Sequence, residues 1–157
     1  MTPSFTDIDR VEQDYLGPKG RPVLGLSFGM LMARWQAGER DRETALRLLF
    51  LSWYAQCESP MLTGLDPQYD TSAICTDAFA ALGGADTQDP EVCFVVGLMA
   101  ELFPWCLGDE VYWADLGRIL KRRAVQLQPS GLLLSVFGNR GAYGEYFSHM
   151  FRNASLP

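Results

Sequence analysis

The sequence predicts an all-α fold, a single compact domain of about six to seven helices packed as antiparallel helical hairpins. Three observations carry this. Apolar residues recur at helical spacing in nearly every long segment, as at Leu24, Phe28, Leu31, Met32 and Trp35, which share one helix face. The same segments are punctuated by helix-starting Asp, Ser and Pro and helix-ending Gly. No alternating run bounded by hairpin turns appears, so strand signals are missing.

The stretch Asp89–Arg123 is the predicted centre. Asp89, Pro90 and Glu91 write a helix start. From Val92 to Phe103 the only charge is Glu101, so this helix is apolar all round and should run through the core. Pro104 breaks it. Asp109 then starts a second, amphipathic helix whose expected buried stripe is Tyr112, Leu116, Ile119, Leu120 and Leu127. Its cations, Arg118, Lys121, Arg122 and Arg123, suit the C-terminal end of the helix dipole.

Ahead of this centre, residues 1–22 form a polar N-terminal arm ending in GPKGRP, a loop by composition. It is either loosely tethered or docked through Ile8, Val11, Tyr15 and Leu16. Residues 23–157 make the helical domain. Its first helix runs from about Val23 to Ala37, with Gly38 as a left-handed end. Asp41 caps a second helix to about Cys57, whose run Leu48–Tyr54 should also be central. The short connection makes these two helices antiparallel neighbours. Glu58–Asp70 is an ordered loop pinned by Met61, Leu62 and Leu65, and a helix over 71–82 ends at Gly83-Gly84. Pro129 stops the amphipathic helix, Ser130 caps a short helix through Val136, and a last helix runs to about Arg152.

Composition sets the limits on function. The 157 residues carry a net charge of −6, which argues against nucleic-acid binding, since that affinity rests on Lys and Arg neutralising phosphates. Cys57, Cys75, Cys93 and Cys106 lie far apart and there is one histidine. Close ligand pairs are therefore missing and no metal or other cofactor is expected. The N-terminus lacks the basic and apolar regions of a signal peptide, and no apolar run is long enough to span a bilayer. A cytoplasmic protein without membrane association is the expectation. Trp113-x-x-Leu116-Gly117 resembles the opening of a tetratricopeptide repeat. The closing proline, Pro129, comes too early and no second copy follows, so the match reads as a shared packing solution.

Few constellations could carry chemistry. His149 lies four residues after Glu145, on one helix face, without the second histidine of a zinc-protease motif. Glu101, if buried, needs a cation such as Arg34 or Arg47; if the helix drifts outward, it simply meets solvent. The loop Phe137–Gly144 places three glycines and Arg140 before a helix, where backbone N–H groups hold anions, but it matches no nucleotide motif. The basic run Arg118–Arg123 reads as a solvated face.

Acids and aromatics remain. Glu39, Asp41 and Glu43 cluster at one helix start. Asp109, Glu110 and Asp115 cluster at another, beside Trp105, Tyr112 and Trp113. Aromatic anchors ringed by acids suit a basic protein partner. The leading expectation is therefore a non-catalytic protein-binding protein, most concretely an immunity- or antitoxin-like inhibitor that occludes its partner, with self-association also open. The rival is a small-molecule binder or enzyme with an interhelical pocket built from Trp53, Tyr54 and Glu101.

Overall fold

A computed structural model describes residues 1–13 and 22–154. Among them are eight α-helices and no strand: α1 (Phe5–Glu12), α2 (Leu24–Gln36), α3 (Arg42–Cys57), α4 (Pro60–Thr63), α5 (Thr71–Ala81), α6 (Pro90–Leu102), α7 (Glu110–Leu127) and α8 (Gly141–Ala154). The all-α architecture is as predicted, with α1 and the single turn α4 added to the expected set.

The pair α6 and α7 packs most extensively. The Asp89 carboxylate accepts from the N–H groups of Glu91 and Val92, and Pro90 opens the helix, so three residues fix where α6 begins. Two glycines set how closely its partner approaches. A Cβ on Gly117 would sit 2.6 Å from the Ala100 Cβ, and one on Gly97 would sit 3.2 Å from the Lys121 backbone nitrogen. The helices therefore meet almost backbone to backbone.

That contact corrects the expected stripe of α7. Leu116 and Leu120 are buried, but Tyr112, Ile119 and Leu127 are exposed, while Trp113 goes into the core. A count of apolar residues overlooks Gly117, which carries no side chain yet lies at the closest approach. Centring the buried face there draws Trp113 inward against Phe79 and turns Tyr112 out.

The first hairpin follows the sequence closely. Asp41 caps α3 through the Thr44 N–H, Gly38 adopts φ +91°, and all five predicted α2 residues are buried. In α3 every residue from Thr44 to Trp53 is buried. Phe50 lies at its centre, within 5.1–6.3 Å of the rings of Trp53, Tyr54, Tyr143, Tyr146 and Phe147.

Two loop expectations need correction. In 58–70 Leu65 and Thr63 pin the segment; Met61 and Leu62 are exposed. The backbone does the rest, because Gly64 lies so close to Gly25 that a Cβ there would meet its carbonyl at 2.2 Å. After α7, Ser130 caps nothing, since Gly131 at φ +81° interrupts any helix start, and only a 3₁₀ turn forms over Leu134–Phe137. Among the described residues 1–13, docking is the alternative seen: α1 packs on α2 and α8 with Ile8 and Glu12 buried. Tyr15, Leu16 and the loop through Arg21 lie outside the described residues.

Candidate functional site

Where α1, α3, α6 and α8 converge, the core is charged. Five carboxylates (Asp9, Glu12, Glu43, Asp89, Glu91) and three guanidiniums (Arg42, Arg47, Arg140) form a continuous seam. Arg47, with a side chain only 4% exposed, bridges Asp9 at 2.5 Å and Glu43 at 2.9 Å, with Glu12 at 3.9 Å. Glu43 passes the chain to Arg140 at 2.6 Å, which reaches Glu91 at 2.8 Å. Arg42 closes the line on Asp89 at 2.7 Å and Glu91 at 3.3 Å. The buried Tyr143 hydroxyl donates to Glu91 at 2.7 Å.

The physical demands of burial are visible in the titrating groups. Burial pushes the Glu43 carboxyl up, but hydrogen bonds from Arg140 and Arg47 outweigh it and hold the group below its usual range. Burial likewise acts on Glu12, and the Ala142 N–H and Arg47 do not cancel it, so that carboxyl lies above its usual range. Tyr143 is raised well above its ordinary value by burial and then by the Glu91 charge.

The seam also answers the expectation for the loop 137–144. The helix N-terminus there does hold an anion, and the chain supplies it: the Ala142 N–H donates to Glu12 Oε1 at 3.1 Å. A Cβ on Gly141 would lie 2.3 Å from that oxygen, and the residue has φ +62°, so only glycine fits. Arg140 is paired with Glu43 and Glu91 while also bordering the cavity between α1 and α8. Sequence reasoning missed this seam. Its members are spread over more than a hundred positions, and the clearest local signal is Arg47, the charge that interrupts the buried run from Thr44 to Trp53.

The two acidic helix starts part company. Glu39 pairs with Arg34 at 2.8 Å and accepts from the Thr2 hydroxyl. Asp41 caps α3 and meets the same guanidinium at 3.0 Å, and Glu43 belongs to the seam. At the other start, Asp109 caps α7 through the Tyr112 N–H at 2.8 Å, Asp115 pairs only with the exposed Arg118, and Glu110 makes no ion pair among the described residues. Around them lie Trp105 (55% exposed), Tyr112 (54%) and Val111 (71%), whereas Trp113 is buried. The open face is therefore Trp105, Asp109, Glu110, Val111, Tyr112 and Asp115.

The expected ligand pocket is not assembled. Trp53 is fully buried and donates to the Phe103 carbonyl at 3.2 Å. Glu101 is on the surface, paired with Lys121 and not with Arg34 or Arg47, in a shallow groove beside Arg118 and Arg122. Tyr54 lies elsewhere, with Phe50 and Tyr146, in the lining of a cavity of about 910 Å³ between α1 and α8 that Glu145 and His149 also border. The basic run is partly consumed too, since Arg123 donates to the carbonyls of Ala85 and Thr87. All four cysteines are free thiols. Comparison with protein-family models, curated proteins and solved structures finds no match to this chain.

Proposed function

We propose that this chain is a non-catalytic protein-binding protein whose contact surface is the start of α7, most concretely a small immunity- or antitoxin-like inhibitor that occludes a basic partner. One observation carries the reading: Val111 and Tyr112 stand exposed at the capped start of α7 and Trp105 in the turn just before it, with Asp109, Glu110 and Asp115 exposed on the same stretch. Large aromatics supply buried contact area at low entropic cost, and the acids steer a cationic surface and fix its register. Free thiols support a reducing, cytoplasmic setting, and no helix among the described residues is long and apolar enough to cross a membrane.

The test is capture from the native host lysate by the wild-type chain and by a Trp105→Ala/Glu110→Lys variant, with mass spectrometry of both eluates. A stoichiometric protein bound by the first and lost from the second is expected. A partner retained equally by both removes this surface. A second reading is favoured by the cavity floored by Tyr54, Phe50 and Tyr146, which has the size of a small-molecule site. A ligand that raises the melting temperature, and loses that effect in Tyr146→Ala, would establish it.

A further inference from the structure

The outer face of α7 has an internal symmetry that the fold does not use. At 100° per residue, Val111, Asp115, Arg118, Arg122 and Val125 fall within a sector of about 80°, opposite the buried Trp113, Leu116, Gly117 and Leu120. All five are exposed. Their spacing of four, three, four and three residues aligns them along one line of the helix surface. The stripe reads apolar, charged, charged, charged, apolar, so it is nearly the same from either end.

Its charges are not symmetric. From Asp109 to Asp115 the chain has three acids and no base, and from Arg118 to Arg123 it has four bases and no acid. A helix with one acidic and one basic half complements its own reversed copy. We propose that a second copy of this chain docks on this face, α7 against α7 in antiparallel sense, about a two-fold axis passing near Arg118. Val111 then meets the second copy's Val125, and Asp115 meets its Arg122. Every contact occurs twice, as an isologous interface requires, and the helix dipoles run in opposite directions.

The pairings answer what the single chain leaves open. Arg122 enters no ion pair among the described residues, and Val111 and Val125 are 71% and 65% exposed. Arg118, which the axis brings near its own copy, pairs with Asp115 of its own chain, so each Asp115 would lie between its own Arg118 and the second copy's Arg122. The stripe shares Val111 and Asp115 with the proposed partner surface but contains neither Trp105 nor Glu110, the residues altered in the capture experiment, so the two tests can fail separately.

Sedimentation velocity over a concentration series, at low and high salt, provides the test. The wild type should show a monomer–dimer equilibrium that weakens with salt. Asp115→Arg alone and Arg122→Asp alone should each weaken it by about ten-fold or more, because each turns two attractions into two repulsions. An equimolar mixture of the two single variants should recover the dimer, since each then offers the charge the other lacks. Circular dichroism confirms that both remain helical. A wild type that stays monomeric throughout, single variants that dimerise like the wild type, or a mixture that stays monomeric would each overturn the proposal.

Discussion

The starts of α3 and α7 look alike in sequence and do opposite things. Each has an Asp cap followed by acids, Asp41 with Glu43 and Asp109 with Glu110. At α3 the acids are paired by arginines, Asp41 by Arg34 at the surface and the more covered Glu43 by Arg47 and Arg140. At α7 they face solvent beside exposed aromatics. The difference lies in the cations that meet them, not in the acids. Arg140 is 97 residues from Glu43, and no local pattern announces such a meeting. A cluster of like charges in a sequence is therefore a candidate surface only until its distant counter-charges are placed.

The largest expected consequence is at Arg47. Replacing it with Met keeps the volume but leaves Asp9, Glu12 and Glu43 facing one another with their shared cation gone. Stranding buried charge in this way destabilises by about 3–5 kcal/mol. Urea denaturation should show that loss, and a midpoint within experimental error of wild type would mean the seam is hydrated and contributes little. A smaller effect is expected at the α6–α7 crossing. Gly117→Ala places a methyl 2.6 Å from Ala100 and should destabilise by about 1–3 kcal/mol through overpacking. The paired Ala100→Gly should relieve it; if the double variant is as unstable as the single, the contact is not the cause.

The seam also makes a prediction about acid. Glu12 is raised, which favours the folded state below the ordinary carboxylate range and is lost as pH climbs through the raised value. Glu43 is held low by Arg140 and Arg47 against its burial, and Asp89 by Arg42 against its own. Their contribution is present above the ordinary range and lost as pH falls through the depressed values. On acidification from neutral, Glu12 should first stabilise the fold before the other two withdraw support. Glu12→Gln keeps the acceptor for the Ala142 N–H but cannot take up the proton. Its urea midpoint should lack the early rise and decline sooner, and parallel curves for the two proteins would show that Glu12 titrates normally.

What the sequence disclosed follows the range of the interactions involved. Caps, breaks and helical periodicity are local, so α2, α3, α5 and α6 were legible, including Gly38 and Asp89. The stripe of α7 was misread because Gly117 contributes contact by having no side chain. Of the residues predicted for a partner surface, Trp105, Asp109, Glu110 and Asp115 are exposed, Glu39, Asp41 and Glu43 are paired with arginines of the chain, and Trp113 is buried. Tyr112 was legible beside the acids although the stripe also claimed it for the core, and Val111 was missed as a surface residue.

The smallest effect on stability is the sharpest test of the contrast. Glu110→Lys and Glu43→Lys make the same chemical change in the first turn of two similarly capped helices. Both place a cation at the positive end of a helix dipole, an exposed penalty of about 0.3–1 kcal/mol. For Glu110, with no ion pair among the described residues, that should be nearly the whole cost, so the variant folds normally and loses only partner association. For Glu43 the substituted ammonium would sit 2.6–2.9 Å from where Arg140 and Arg47 now place their guanidiniums. It should lose several kcal/mol more, as breaking a buried pair does. Thermal melts of the two variants side by side decide it. Equal losses would mean that the two acidic starts are equivalent, and that the α7 face is no more available to a partner than the α3 one.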